Sequence, residues 1–237
     1  MDPFRITSTK VLTLVTVIDK QNQRILLGYK KRGFGAHLWN GFGGKVEPGE
    51  TPKEGAIREL EEEAGITVHP DKLQKTGLLL FLFENDTVGL ETHVYKAYEY
   101  EGEIRECDEM RPQWFDFADI PYSQMWPDDE TWLPLTLKGQ DPFFGRICLK
   151  RRPLTESASL ENGVSGLNPS SSTASSGSTT STAASAGNLS TTMTNTSFTA
   201  DQPSNGPFEI FDYHLEHSLP SAPHEIALDG TVASYEN

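Results

Sequence analysis

One segment of the chain predicts a helix with both of its ends defined. Thr51-Pro52-Lys53-Glu54 has the pattern of a capping box, with Thr51 as N-cap and Pro52 at the first helical position. Gly65 is placed to end the helix in a left-handed conformation, so the predicted helix covers Pro52–Ala64. Its apolar face carries Ala56, Ile57, Leu60 and Ala64. A helix with one apolar face needs a second layer of structure to pack against.

A separate face of this predicted helix, an arc of about 100°, carries Glu59, Glu62 and Glu63. Glu54, Arg58 and Glu61 point elsewhere, and Gly55 leaves room for a group to approach the acidic face. The ordinary interpretation of such a pattern is a solvated acidic surface. Carboxylates three or four residues apart repel one another, however, and the C-terminal half of a helix disfavours anions. A bound cation is therefore favoured, and carboxylate oxygens suit Mg²⁺, with Mn²⁺ as the alternative.

Segments rich in β-branched and aromatic residues flank the helix on both sides and are predicted to be strands. They are Lys10–Ile18, Arg24–Lys30, Thr76–Glu84, Glu91–Tyr100, Gln113–Phe117, Phe143–Lys150 and Phe208–Leu215. A Gly-rich loop occupies residues 33–44, and Thr131–Lys138 is interpreted as a second short helix. The predicted fold class is α/β, with a mixed β-sheet sandwiched between helices.

The composition changes after Arg152, which is the last basic residue. Of the 28 residues from 170 to 197, 18 are Ser or Thr, and residues 163–200 carry no charge. We therefore interpret residues 1–152 as the folded domain and 153–205 as a disordered insertion, either a passive spacer or a phosphorylation or interaction segment. Residues 206–217 are predicted to return as a C-terminal strand, paired in a hairpin with Phe143–Lys150, and 218–237 to form an acidic flexible tail.

Charge and cysteine content exclude several classes of protein. The formal net charge is −14, and residues 1–152 carry 20 basic against 25 acidic residues, so no basic surface for nucleic acid is evident. Two cysteines fit a reduced, intracellular protein better than a disulfide scaffold. Neither an N-terminal apolar segment nor a run of 18 apolar residues occurs, which argues against secretion and membrane insertion. We expect a cytoplasmic protein, with nucleus and mitochondrion as alternatives.

The segment from Gly44 to Ile66, GKVEPGETPKEGAIRELEEEAGI, resembles the Nudix box, G-x5-E-x7-R-E-U-x-E-E-x-G-U, where U is apolar. The fixed positions are filled by Gly44, Glu50, Arg58, Glu59, Leu60, Glu62, Glu63, Gly65 and Ile66. The resemblance implies the Nudix fold and a metal-dependent hydrolase that cleaves a diphosphate linked to another moiety. The box by itself does not specify that moiety.

The segments around the box resemble the MutT-homologue branch, the oxidised purine nucleoside triphosphatases. They are Gly28–Gly35, Trp39–Lys45, Asp108–Pro112 and Met125–Asp129, and the likeness extends over about residues 10–150 and, more faintly, 208–215. This resemblance implies hydrolysis of 8-oxo-dGTP and 2-hydroxy-dATP to monophosphate and pyrophosphate, which removes damaged precursors from the nucleotide pool.

The same resemblance implies a role for each matched residue. Mg²⁺ would be held by the Gly43 carbonyl and by Glu59, Glu62, Glu63 and Glu109, of which the three box glutamates form the catalytic group. The base edge would be read by Asn40, Asp128 and Asp129, and the ring would be sandwiched by Phe34 and Trp126, with Pro127 in the same segment. The pocket would be completed by Phe81, Phe83 and Met110, the substrate contacted by Thr13 and Lys30, and the phosphate path lined by Phe42, Gly43, Gly44 and Lys45.

The recognition residues also have ordinary structural interpretations. Trp126 fits a hydrophobic core, because tryptophan is highly buried on average. Asp128 and Asp129 fit an N-cap for the second predicted helix. As recognition residues they are chemically suitable, since an indole stacks on any base and an asparagine offers both a donor and an acceptor to a purine edge.

We expect metal-assisted attack of water on a phosphorus of the triphosphate, with Glu63 or Glu59 orienting or deprotonating the water. The expected partner is a small-molecule nucleotide and the expected state a monomer. The alternatives are a Nudix hydrolase of ADP-ribose, NADH, a dinucleoside polyphosphate or capped RNA, and a nucleotide-binding module without catalysis. A signalling scaffold built on the Ser/Thr-rich segment is a third alternative, and it is compatible with an enzyme.

Overall fold

Most of the strand-forming segments build a single mixed sheet in the computed structural model, which describes residues 2–152 and 207–216. The strands are β1 (Ser8–Asp19), β2 (Arg24–Lys30), β3 (Trp39–Asn40), β4 (Ile66–Thr67), β5 (Gln74–Phe83), β6 (Val88–Ala97), β7 (Glu101–Gly102), β8 (Met110–Asp116), β9 (Phe143–Arg151) and β10 (Phe208–Glu216). The helices are α1 (Pro52–Ala64) and α2 (Asp129–Lys138), with 3-10 turns at Pro70–Lys72, Phe117–Asp119 and Tyr122–Gln124.

The main sheet has the strand order β10-β9-β5-β6-β1-β2-β3, and β8 pairs with β2 as well. β1 runs parallel to β6 and β5 runs parallel to β9, while the other pairs are antiparallel. β4 and β7 form a separate two-stranded pair at the end of α1. The predicted mixed sheet is confirmed, although the three two-residue strands were not foreseen.

Strands β1 and β2 stay paired only near their shared turn, from Val17 opposite Leu26 to Asp19 opposite Arg24. Beyond that point β2 pairs with β3, and the chain after β3 pairs with β1 instead. The Val15 N–H donates to the Phe42 carbonyl at 2.6 Å, and the Thr13 N–H donates to the Gly44 carbonyl at 2.8 Å. The loop 41–46 therefore fills the gap where the two strands separate, directly in front of α1.

A helix covers each face of the sheet. On one face Ala56, Leu60 and Ala64 of α1 pack with Val15, Val17 and other buried residues. On the opposite face Trp132, Leu133 and Leu135 of α2 belong to a second core, and the Trp132 ring stacks on Phe143 at 5.9 Å. This arrangement confirms the prediction of a sheet between helices. α2 begins at Asp129, two residues earlier than the sequence indicated.

The C-terminal strand returns to the sheet as predicted. β10 pairs antiparallel with β9, from Phe208 opposite Arg151 to Glu216 opposite Phe144. The predicted disordered insertion (153–205) and acidic tail (218–237) lie outside the described residues and stay predictions. No helix within residues 2–152 and 207–216 is both long and apolar enough to cross a membrane.

We expect truncation after Arg152 to lower the melting temperature, by on the order of 10 °C, because the buried ring of Phe208 is lost and β9 becomes an exposed sheet edge. Deletion of 159–202 keeps β10, and the Arg152 N–H already bonds the Pro207 carbonyl at 3.0 Å, so a short connection suffices. Thermal melts of both variants test this. Equal stability of the two would contradict the role of β10 in the sheet.

Candidate active site

Helix α1 starts and ends at its capping residues. The Thr51 hydroxyl accepts from the Glu54 N–H at 3.3 Å, and the Glu54 carboxylate accepts from the Thr51 N–H at 2.7 Å. Gly65 ends the helix at φ 73°, with its N–H donating to the Glu61 carbonyl. Both predicted caps are confirmed. With the apolar face of α1 on the sheet, its carboxylates are directed toward the loop 41–46.

Arg58 lies inside the carboxylate cluster, although helical periodicity predicts that it points away from the acidic face of α1. It donates to Glu50 at 2.7 Å and 3.1 Å, to Glu59 at 2.9 Å and to Glu62 at 3.4 Å. A long side chain can bend around the helix, and Glu50 meets it from the preceding loop. The space above Gly55 is used by Glu50, since a Cβ there would lie 2.8 Å from its carboxylate. The hydrogen bonds between Arg58 and Glu50 raise the pKa of the Arg58 guanidinium and lower the pKa of the Glu50 carboxyl.

Glu63 is the most deeply buried of the box carboxylates, with 5% of its surface exposed. Its Oε2 accepts from the Gly43 N–H at 2.9 Å, and its Oε1 lies 3.6 Å from the Lys30 ammonium. Burial raises the pKa of Glu63 to about 7, although Lys30 and the Gly43 N–H act in the opposite direction. Burial likewise raises the pKa of Glu59. Two neighbouring carboxylates are thus only partly neutralised by the protein.

Lys30 joins the helix to a more distant carboxylate. Its Nζ lies 2.8 Å from Glu109 and 3.6 Å from Glu63, so both acids converge on one ammonium group. Burial lowers the pKa of Lys30, but Glu109 and Glu63 more than offset this and leave it raised. The hydrogen bond from Lys30 lowers the pKa of Glu109.

The donor set fits a divalent cation. Glu59 and Glu63 are buried acids with raised pKa values, Glu109 shares the Lys30 contact, and Gly44 leaves room that a Cβ, 2.6 Å from the Glu59 carboxylate, would fill. Glu62 stands at the rim with a largely exposed side chain. Among the described residues, the present side-chain positions bring no three His, Cys, Asp or Glu residues close enough together to hold a metal ion. The positive charges that meet these acids are those of Arg58, beside Glu59, and of Lys30, beside Glu63 and Glu109.

Four aromatic rings cluster on the other face of the sheet, close to α2. Phe34 lies 5.1 Å from Trp126 and 6.0 Å from Phe83, and Phe208 lies 5.8 Å from Trp126 and 5.2 Å from Phe83. The resemblance implies a base sandwiched between Phe34 and Trp126. In this structure the two rings contact each other directly, with their centroids 5.1 Å apart, which leaves no room for a third ring between them. The sandwich therefore requires movement of Phe34, whose ring is 60% exposed.

Asp128 and Asp129 are buried beside this aromatic cluster. Asp129 accepts from the Trp126 N–H at 3.1 Å, and Asp128 Oδ2 accepts from the Trp132 indole at 3.1 Å. Asp128 stands at the N-cap of α2 but makes no side-chain capping bond, so the capping interpretation is wrong for its carboxylate. Burial raises the pKa of both acids, and the charge of Asp128 raises that of Asp129 further.

One oxygen of this pair has no partner. Asp128 Oδ1 is buried and makes no hydrogen bond, in a residue that is 2% exposed. An unsatisfied buried acceptor costs about 1–3 kcal/mol. A ligand that donates a hydrogen bond to this oxygen would remove that cost.

The remaining predicted residues occupy different positions. Asn40 ends β3, and its Oδ1 accepts from the Gly41 N–H at 2.9 Å; the Thr13 hydroxyl is buried without a partner. Phe81 and Pro127 are partly buried, and the Lys45 carbonyl accepts from Arg58 at 3.1 Å. These positions leave their substrate roles as predictions.

Two of the predicted residues have buried side chains. Phe42 and Met110 are 0% and 1% exposed in the core beneath α1, where both also approach Gly28. Their roles toward a substrate stay predictions. Phe42 contributes its backbone, which is already bonded to Val15. Alternation within short segments does not tell which face of a sheet a residue takes.

Sequence reasoning missed Phe208 as a member of the aromatic cluster. Phe208 was interpreted only as part of a returning strand, and its distance along the chain from Trp126 concealed their contact. The register of β10 on β9 was the signal needed, and periodicity alone does not supply one.

The arrangement has counterparts among known proteins. The NUDIX domain family model matches residues 9–136. An oxidized purine nucleoside triphosphate hydrolase from Danio rerio is 56% identical over 131 residues, covering 55% of this chain and 81% of that protein. A protein of the same name from Mus musculus is 48% identical over 132 residues, covering 56% and 82%.

Solved structures show the same fold. The crystal structure of a MutT protein from Bacillus halodurans superposes with a TM-score of 0.52 at 25% sequence identity. The match covers 59% of this chain and 89% of that protein.

Replacing Glu63 with Gln tests the cation site. Because the pKa of Glu63 is raised from its ordinary value of 4.5 to about 7 in the folded protein, stability falls as pH rises through this range and Glu63 ionises. At pH 8 the metal-free variant should therefore melt no lower than wild type. A saturating divalent cation stabilises a protein that binds it, by about 2.7 kcal/mol at 100 times its Kd. We expect Mg²⁺ or Mn²⁺ to raise the Tm of wild type and to raise the Tm of Glu63→Gln by much less.

The matched control is Glu61→Gln, an exposed position on the same helix with no side-chain contact to the cluster. Thermal melts at pH 8, with and without metal, compare the three proteins. A metal-induced Tm shift that is the same in both variants would remove Glu63 from the cation site.

Proposed function

This chain belongs to the NUDIX family, and we propose that it hydrolyses oxidised purine nucleoside triphosphates such as 8-oxo-dGTP and 2-hydroxy-dATP to monophosphate and pyrophosphate. It is a hydrolase of pyrophosphate bonds, and Nudix hydrolases generally require a divalent metal. The names of the Danio rerio and Mus musculus relatives support the substrate class. Removal of such nucleotides would keep damaged precursors out of the nucleotide pool.

One observation carries the choice of base: the unpartnered Oδ1 of buried Asp128 beside the Trp126 ring cluster. Stacking on Trp126 would hold any base, but a buried carboxyl pair selects by hydrogen bonding. With the pKa of both acids raised, one carboxyl of the pair donates while the other accepts. Moving one proton then lets the pair match either an oxidised guanine or an oxidised adenine, with Asn40 as a further donor and acceptor.

The metal site in this proposal consists of Glu59, Glu62, Glu63, Glu109 and the Gly43 carbonyl, with Mg²⁺ as the metal. Bound metal would neutralise charge on the phosphoryl oxygens and lower the pKa of water. The two acids with burial-raised pKa values, Glu59 and Glu63, are suited to orient the attacking water and to take its proton.

Lys30 is suited to contact the phosphates. Its ammonium now neutralises Glu63 and Glu109, which a divalent cation would also neutralise. Released from these acids, it can place its charge on the triphosphate, where charge builds up in the transition state. We further propose a monomer that binds nucleotide and no nucleic acid, located in the cytoplasm; nucleus and mitochondrion are the alternatives.

A nucleotide panel with pyrophosphate release as the readout tests the proposal. We expect 8-oxo-dGTP and 2-hydroxy-dATP to have higher kcat/KM than dGTP and dATP, because the buried carboxyl pair matches the oxidised base edge. ADP-ribose, NADH and a dinucleoside polyphosphate complete the panel. Highest kcat/KM for one of these three would contradict the proposal.

Substitution of each aspartate tests base readout. We expect Asp128→Asn and Asp129→Asn to change the ranking of 8-oxo-dGTP and 2-hydroxy-dATP, each to a different degree, because an amide cannot exchange the proton that the pair shares. A broken hydrogen-bond match costs up to roughly 10⁴-fold in kcat/KM. The dependence on metal concentration should change little, since neither acid belongs to the metal site.

Glu130→Gln is the matched control, because Glu130 is exposed and adjacent in sequence. Measurement of kcat/KM for 8-oxo-dGTP, 2-hydroxy-dATP, dGTP and dATP compares the four proteins. Equal scaling of all four substrates in the Asp variants would show that the pair does not read the base.

A further inference from the structure

The strand β10 begins with a buried aromatic residue at an unexpected place. Phe208 is 8% exposed and belongs to the core that also contains α2. Its position is fixed by the hairpin, because Phe208 pairs with Arg151 and its carbonyl accepts from the Arg152 guanidinium at 3.2 Å. The Arg151 guanidinium lies 5.4 Å from the Phe208 ring centroid. The ring is therefore held by backbone pairing and by a cation beside it.

Phe208 contacts three of the four aromatic side chains that sequence analysis assigned to the base site. Its ring is stacked against Trp126 at 5.8 Å with 22° between the planes. It lies edge-on to Phe83 at 5.2 Å and tilted to Phe34 at 6.3 Å. A residue beyond position 206 is thus built into the same cluster as residues 34, 83 and 126.

Within the cluster Phe34 and Phe208 differ in exposure. Phe34 is 60% exposed, and its neighbours Gly33 and Gly35 have φ values of 81° and 79°, so its loop is built from conformations that glycine adopts freely. Both rings contact Trp126, and a base that stacks on Trp126 displaces Phe34 more readily because Phe34 is the exposed one. Phe208 is buried and paired in the sheet, so it stays beside Trp126 when Phe34 moves.

We propose that Phe208 contacts the base of the bound nucleotide and that the C-terminal strand thereby completes the base site. This inference rests on the proposed function, since it adds a residue to the same site. The contact adds base affinity, and the carboxylates proposed to bind the metal belong to α1, in the other core. We therefore expect loss of the contact to change KM more than kcat. Base–aromatic stacking contributes enough that its loss weakens binding of a base severalfold or more.

The test uses the full chain with Phe208→Leu, which keeps apolar volume and removes the aromatic face. Phe208→Met, with a flexible side chain that fills irregular space, is the second non-aromatic variant if the first fails to fold. The matched control is Phe211→Leu, on the same strand but 55% exposed, with its ring stacked on Phe4 at 5.3 Å. Binding of 8-oxo-dGMP by calorimetry, and kcat and KM for 8-oxo-dGTP, are measured for each.

We expect the Phe208 variants to weaken 8-oxo-dGMP binding and to raise KM by about tenfold, with kcat within about twofold of wild type. Phe211→Leu should match wild type in both. Unchanged Kd and KM in the Phe208 variants, or a fall in kcat and Tm without a change in Kd, would overturn the inference. Absence of 8-oxo-dGTP hydrolysis by wild type would instead refute the proposed function, so the two failures are distinguishable.

Discussion

The candidate site depends on one backbone contact, in which the loop 41–46 lies directly against β1. The loop bonds to β1 through Thr13 and Val15 because β2 has separated from β1 at that point. The contact requires glycine, since a Cβ on Gly43 would overlap the Thr13 carbonyl and one on Gly44 would crowd Glu59. With the loop fixed in this way, the Gly43 N–H reaches Glu63, and the carboxylates of α1 face main chain instead of bulk water.

Burial of these carboxylates creates a need for positive charge. Desolvation raises the pKa values of Glu59 and Glu63, and Arg58 and Lys30 supply only part of the compensation. A protein that neutralised the acids completely would gain stability and would have less affinity for a metal. A buried carboxylate is costly unless it is paired with a positive charge. Because the pairing of these acids is incomplete, a bound cation would stabilise them.

The base side of the molecule follows the same physical logic with different groups. Asp128 and Asp129 are buried with raised pKa values, and one oxygen lacks a donor. Around them the rings of Trp126 and Phe208 are fixed by packing, while Phe34 is largely exposed between two glycines. The recognition residues pack with the core that contains α2, and the acidic residues belong to α1, whose apolar face packs in the other core. The C-terminal strand β10, which pairs with β9, contributes Phe208 to the recognition side through its contact with Trp126.

Local chemistry in the sequence determined α1, its caps and the carboxylate face, because capping and helical periodicity act over a few residues. Strand positions were likewise predictable to within a few residues, and the pairing of the returning strand with Phe143–Lys150 followed from alternation. Only the tertiary structure decided that Arg58 turns into the acidic cluster, that Met110 and Phe42 are core, and that Phe208 joins Trp126. Those outcomes depend on sheet register and on contacts between residues far apart in sequence, which no local pattern encodes.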